Sequence, residues 1–317
     1  MSPAALPLLV THGGKFHCDE VVAYAVLRAA LGLREPGVDH RLSRTRDAQV
    51  IAAGDIVWDV GFVHDAATSR FDHHQRGAPL RADGTPFSSA GLVWQVYGVR
   101  AVQALLRPGA AEPLAEAVAA ELDATVMRRI DALDNGVAGT HDDLLGLASL
   151  IGDCNPPWDA AGDPAAADAA FLHAAELAAG VLLRRIDMLR ARLAAEAIVV
   201  AAHAASADPR ILELERGMPW KAAVFSHALP VLYAVYPAGN GRWMVDAMPP
   251  EPGSFEQRLP LPETWAGLQD AALVQACGVA DAVFVHLRRF VAAANSRAGA
   301  LEMARRAVEG ENASPRK

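Results

Sequence analysis

Apolar runs that stop at an acid or a histidine recur along the N-terminal part of this chain. Leu6-Pro7-Leu8-Leu9-Val10-Thr11 ends in His12-Gly13-Gly14, Ile56-Val57-Trp58-Asp59-Val60-Gly61 carries Asp59 near its carboxyl end, and Arg70-Phe71-Asp72-His73-His74 comes after an apolar run. A helical stretch runs into Asp131-Ala132-Leu133-Asp134 in the same way. Short apolar runs separated by helical periodicity read as a parallel sheet with helices on both faces. Ligands of such sheets bind beyond the carboxyl ends of the strands, where these acids and histidines fall.

The spacing predicts the remaining elements. Val22, Val26 and Ala29 fall at helical intervals, Asp19 suits that helix's N-terminus, and Gly32 suits its end. His40 to Ser43 reads as a strand and Asp47 to Ala53 as a short helix. Ser88 to Gly98 reads as a helix capped by serine and stopped by glycine. Leu114, Val118, Leu122, Val126 and Ile130 recur every fourth residue and mark a long amphipathic helix, ended by the Asn135-Gly136 turn. Asp163-Pro164 opens another helix, expected to run to about Ala197. Beyond residue 205 the texture changes to short strand-like runs, Ile211 to Glu215, Ala222 to Phe225, Val231 to Tyr236 and Arg242 to Ala247, divided by Pro and Gly turns. Helices are expected near Trp265 to Ala276 and Ser296 to Val308. The expected fold is α/β: residues 1–205 carry a parallel sheet flanked by helices, and residues 206–317 form a smaller α+β domain with a largely antiparallel sheet.

With 317 residues the chain is long for a single core, which agrees with two domains. Residues 1–7 lack the basic start and cleavage pattern of a signal peptide, and unbroken apolar runs long enough for a membrane span are absent. Three scattered cysteines suit a reducing compartment, so a cytoplasmic protein without membrane association is expected. A net charge of −8 argues against coating duplex DNA, which needs many phosphate-neutralising cations. A homodimer is compatible with everything so far.

His12, His17, Asp19, Asp59, Asp72, His73, His74 and Asp134 together form a His/carboxylate set without thiolate. Such donors suit Mn2+, Mg2+, Fe2+ or Zn2+. The set exceeds what one ion needs and suits two, an arrangement that clamps both oxygens of a phosphoryl displacement. His73 and His74 cannot point the same way in extended chain, so one binds metal while the other faces substrate or a supporting group. Taken singly, each residue has a plainer reading: Asp19 as a helix cap, Asp72 as the acid that orients a histidine, Asp131 or Asp134 as a mere partner of the other. Cys18 reads as buried filler and Trp220 as a core residue.

The ordered motifs His12-Gly-Gly-Lys-Phe-His17-Cys-Asp19-Glu20, Asp59-Val-Gly61, Asp72-His73-His74-Gln75-Arg76, Ser88-Ser89-Ala90-Gly91 and Asp131-Ala-Leu-Asp134-Asn-Gly136 resemble the melanocyte-proliferating-gene (MYG) family, within the DHH phosphoesterase superfamily. Met218 to Lys221, Arg258 to Pro260, Trp265 to Leu268 and Phe284 to His286 extend the resemblance over nearly the whole chain. It implies a two-domain hydrolase with two divalent ions of the Mn2+ type, Mg2+ and Zn2+ being the alternatives. It implies His12, His17, Asp19, Asp59, His73 and Asp134 as ligands, with Asp59 bridging. It assigns His74 to the phosphate, with Asp72 beside it as the other catalytic candidate. His17 and Asp19 stand where other DHH enzymes carry two acids, so the ligand set departs from theirs. Arg76, Lys221, His286 and Arg288 are the candidate substrate contacts. Alanines at 292–294 stand where related enzymes place a Gly-Gly turn.

The expected activity is that of a phosphodiesterase, a 3′–5′ exonuclease on short RNA or on nucleotide-like diesters. One alternative is a small-molecule phosphohydrolase acting on pyrophosphate or a nucleotide monophosphate. An alternative of another class is a non-catalytic metal-binding interaction protein.

Overall fold

The structure, a computed structural model, describes residues 6–106, 112–138, 143–159 and 162–312. Two compact units emerge, Met1–Arg190 and Ala191–Lys317.

The first unit is built on a five-stranded sheet in the order β2-β1-β3-β5-β4. Its strands are β1 (Leu8–Thr11), β2 (Arg41–Arg44), β3 (Ile56–Trp58), β4 (His64–Asp65) and β5 (Arg70–Phe71). The pairs β1·β2, β1·β3 and β3·β5 are parallel, and β4 closes one edge antiparallel to β5. β1 therefore has its successor on one side and β3 on the other, and the crevice at such a switch point is where open α/β sheets bind ligands.

Helices α1 (Cys18–Leu31) and α2 (Ala48–Ala53) follow β1 and β2. Asp47 caps α2, accepting from the backbone N–H groups of Gln49 and Val50. α1 ends on Gly32, which takes the left-handed conformation that this residue adopts without cost. Val21, Val26 and Leu27 of α1 are fully buried, and Trp58 of β3 donates its ring N–H to the Glu20 carbonyl at 3.0 Å. Helix α1 packs on α3 (Ser89–Leu105).

α3 continues past Gly98, the expected stop. A Cβ there would lie 2.7 Å from the Trp94 ring, so this glycine makes room for a tryptophan instead of ending the helix. The next stretch is α4 (Glu112–Leu122), a π-helical segment over Asp123–Met127, and α5 (Arg128–Asp134). The strict four-residue spacing is longer than the 3.6 of an α-helix, and a π turn absorbs the difference. After α6 (Leu147–Asp153), α7 (Pro164–Ala204) begins where Asp163-Pro164 predicts, with Asp163 accepting from the Ala165 N–H. It runs beyond the expected end at Ala197. By length and composition α7 is apolar enough to cross a membrane, although Asp168 and Glu176 interrupt its alanines and break any continuous apolar run. Phe171, Ala174, Ala175, Ala178, Leu182 and Ile186 on it are buried.

The second unit carries a sheet in the order β6-β7-β8-β10-β9, from β6 (Ile211–Glu213), β7 (Tyr233–Pro237), β8 (Trp243–Ala247), β9 (Ala282–Val285) and β10 (Val291–Ala294). All pairs are antiparallel except β6·β7. α9 (Asp270–Cys277) and α10 (Arg297–Asn312) lie near the two stretches read as helices.

One expectation fails here. Ala222 to Phe225 lies in a helix, α8 (Lys221–Ser226), not a strand; Ala223 and Val224 are buried with Trp220, and so short an apolar run carries no period of its own. The alanines at 292–294 form no turn. They are fully buried in β10 between β8 and β9, where small side chains let the strand pack into the core with Met303 and Ala304.

Candidate metal centre

The site is assembled from the ends of β1, β3 and β5, the start of α1 and the end of α5. His12 follows β1, Asp59 follows β3, and Asp72-His73-His74 follow β5. Asp59 is held at φ 55°, outside the usual range for a side-chain-bearing residue. Gly61 (φ 100°) and Phe62 (φ 56°) complete a turn that brings the Phe62 N–H to Asp72 Oδ2 at 2.6 Å. Backbone strain of this kind concentrates at functional sites.

Asp59 lies at the centre. Its Oδ2 is 3.3 Å from His12 Nε2 and its Oδ1 is 3.2 Å from His73 Nε2. Beyond His73 stand Asp134 Oδ2 at 3.4 Å and Asp19 Oδ2 at 3.9 Å. Beyond His12 stand Glu20 Oε1 at 2.7 Å and the His17 ring, 6.0 Å from the His12 ring. Among the described residues, potential ligand atoms gather within 4.8 Å in four overlapping groups: His12, His17 and Glu20; Asp59, His73 and His74; Asp19, His73 and Asp134; Asp19, Glu20 and Asp59. All six expected ligands therefore come together.

Exposure divides the paired histidines. The His73 side chain is 8% exposed and points into the acids, while His74 is 52% exposed. Asp72 accepts from the N–H groups of His73 (2.7 Å) and His74 (3.1 Å), and bonds His74 Nδ1 at 2.7 Å. Every one of these bonds shapes the loop or orients a ring, so Asp72 has the position of an orienting acid more than of a reacting one.

Two serines hold the acids from behind. Ser89 Oγ donates to Asp19 Oδ2 at 2.7 Å, and Ser88 Oγ to Asp131 Oδ1 at 2.6 Å, so both hydroxyls serve carboxylates and neither caps α3. Asp131 also takes Arg81 Nε at 2.5 Å, and Arg81 grips Asp123 of the π segment through both terminal nitrogens at 2.9 Å. That makes Asp131 a structural partner and leaves Asp134 for the centre. Asn135 fastens the end of α5 by donating to the carbonyls of Asp131, Pro86 and Phe87.

The electrostatics fit a site for positive charge. Burial pushes Asp134 up to about 8 and Glu20 up to about 8, and burial with the Asp59 charge also raises Asp19. Burial would lower His12 and His73, but hydrogen bonds and charges from the acids outweigh it and hold them at about 10 and about 9. Asp59, bonded by both rings, stays well below the usual carboxylate range despite its burial. Asp19 Oδ1 is buried with no hydrogen-bond partner. Acids this close retain protons only for want of positive charge, and an oxygen-and-imidazole donor set with a free carboxylate oxygen suits hard or borderline divalent ions.

The cavity over these groups has a volume of about 130 Å³ and is also lined by Arg46 and Phe62. Arg76 is exposed and does not line it. In the second unit Lys221 pairs with Asp246 at 3.2 Å, and His286 and Arg288 lie on the β9–β10 turn, with the Arg288 N–H on His286 Nδ1 at 3.1 Å. Two residues escaped the sequence reading. Arg46 follows β2, so the strand-end rule that found His12 and Asp59 points to it as well. Glu20 follows Asp19 directly, and the motif that singled out one acid contained both.

The sequence model of the MYG1_exonuc family, described as Uncharacterised protein family (UPF0160), matches residues 8–308. The chain belongs to this family. MYG1 exonuclease of Bos taurus is 34% identical over 327 aligned positions, covering 95% of this chain and 84% of that protein. MYG1 exonuclease of Homo sapiens is 33% identical, covering 95% and 85%. The crystal structure of RecJ in complex with Mg2+ from Thermus thermophilus aligns with 97% of this chain and 50% of that chain, at 15% identity and a TM-score of 0.29, too distant a likeness to bear on the chemistry. In this MYG1 family member the first-unit motifs of the resemblance supply the residues gathered around Asp59.

Proposed function

We propose that this chain is a two-ion, Mn2+-type phosphodiesterase that acts as an exonuclease on short RNA or on nucleotide-like diesters. Membership of the MYG1 family, whose bovine and human members are named exonucleases, supports a metal-dependent hydrolase of phosphoric esters. The names of its bovine and human relatives, both MYG1 exonuclease, support a nucleic-acid substrate. The observation that carries the two-ion reading is Asp59, whose two oxygens face separate donor groups. On one side His12 and His17 would hold an ion, on the other Asp19, His73 and Asp134, with Asp59 shared.

When bound, two divalent cations supply positive charge to a phosphoryl group in transfer and acidify water enough for attack at neutral pH. The chain's own residues do the rest. Asp72 ties His74 Nδ1, which leaves Nε2 as the ring nitrogen available to a phosphate oxygen. Arg46 adds a permanent charge at the cavity wall. Ser89 holds the Asp19 carboxylate and Asn135 fixes the end of α5 that carries Asp134, so little reorganisation is needed as charge develops.

End-labelled short RNA and inorganic pyrophosphate, each incubated with the protein and Mn2+, test this reading. Stepwise loss of single nucleotides from the 3′ end is expected. Hydrolysis of pyrophosphate with RNA left intact would replace it by the small-molecule alternative.

A further inference from the structure

The cavity over Asp59 does not end at the metal centre. His17, His73, His74 and Asp134 also line a second recess of about 630 Å³, and Lys15 and Gly152 join that recess to a third of about 780 Å³. All three lie within the first unit, and each shares lining residues with the next.

At the outer end stands Trp158, which is 90% exposed. An indole left in water forgoes the burial that normally stabilises it. Asn155, three residues before it, is nevertheless tied to the turn at the centre. Asn155 accepts from the Phe16 N–H and donates to the Phe16 carbonyl, each at 2.9 Å. Phe16 sits between Lys15 and His17, so these two bonds tie the tryptophan loop to the turn carrying a cation and a candidate ligand. Pro156 and Pro157, between Asn155 and Trp158, restrict the connecting backbone.

Charge along the three recesses changes with distance from the centre. Lys15 is exposed at the middle recess, where a phosphate next to the reacting one would pass. Asp153 and Asp163 line the outer recess, which disfavours a phosphate there and leaves a neutral aromatic group as the fitting occupant.

We propose that these recesses form a single-strand groove, in which Lys15 takes a backbone phosphate and Trp158 stacks a nucleobase away from the reacting phosphate. The proposal deepens the phosphodiesterase reading, since it defines the substrate as a strand long enough to reach both residues. It predicts a preference for oligonucleotides over mononucleotides and minimal diesters. Stacking on an aromatic side chain tolerates any base, so little sequence preference is expected.

Binding of a fluorescently labelled RNA tetranucleotide to the metal-free full chain, followed by anisotropy, tests the groove apart from catalysis. Trp158→Ala should weaken binding about tenfold and Trp158→Phe should restore most of it. Lys15→Ala should weaken binding and flatten its salt dependence. With Mn2+ present, Trp158→Ala should lower the ratio of kcat/KM for the tetranucleotide to that for bis(p-nitrophenyl) phosphate, mainly through KM. Equal affinity of wild type and Trp158→Ala, or no binding by wild type, would overturn the groove. Binding that depends on Trp158 without cleavage by the Mn2+-loaded protein would uphold the groove and remove the nuclease reading.

Discussion

His12 Nε2 lies 2.7 Å from Glu20 Oε1, with both side chains withdrawn from solvent. The other Glu20 oxygen accepts the His17 N–H at 2.8 Å. One carboxylate thus pairs with the first histidine of the centre and fixes the backbone of the second. Glu20→Ala would leave a buried imidazole without its acid, a change that costs about 3–5 kcal/mol when a buried pair is broken. Urea unfolding of the metal-free protein should register that loss, and calorimetric titration should show weaker Mn2+ binding. Glu20→Gln keeps the shape and one acceptor and should lose less in both measurements.

Gly91 allows α3 to pass close to Asp131. A Cβ at this position would lie 2.5 Å from both Asp131 oxygens and 2.7 Å from the Phe87 ring, and Asp131 is pinned by Ser88 and Arg81. Gly91→Ala should therefore destabilise by about 1–3 kcal/mol, as overpacking does. Gly180 in α7 has nothing within 4 Å of its Cβ position. Gly180→Ala should leave stability unchanged or raise it by up to about 1 kcal/mol, because alanine is the better helix former. Paired urea titrations compare the two.

Cys18 adjoins His17 and Asp19 but lacks the character of a nucleophile. It is buried, and burial together with the Asp19 charge pushes its thiol well above the usual value. Thiolate is the reactive form, so raising the pKa suppresses reaction at neutral pH. Iodoacetamide should label the half-buried Cys154 first and should spare Cys18 and Cys277 until denaturant is added. Peptide mass mapping reads the order.

Much of this fold is legible in the sequence because strands and caps announce themselves chemically. Asp47, Asp163-Pro164 and the acids after β3 and β5 stand where free N–H groups and strand ends require them. What stayed hidden depends on neighbours distant in sequence or on packing. Gly98 reads as a stop until the Trp94 ring is seen to need its space. Ala222 to Phe225 reads as a strand because an apolar run of that length suits either element. The alanines of β10 read as a missing glycine turn until β8 and β9 enclose them. Within the site, Glu20 and Arg46 carry only the weak signals of a motif neighbour and a strand end, which a helix-start acid and an exposed arginine share. Only the closing of α1 and the end of β2 around Asp59 distinguishes them.

The central claim is that Asp59 and its neighbours hold divalent ions on which hydrolysis depends. The most direct measurement is hydrolysis of bis(p-nitrophenyl) phosphate by chelator-stripped protein before and after Mn2+ is restored, with bound metal counted in the same samples, for wild type and His73→Ala. Stripped wild type should be inactive and should recover with about two equivalents of Mn2+, while folded His73→Ala should bind less metal and lose most activity. Full activity in the stripped protein, or in well-folded His73→Ala, would contradict the account.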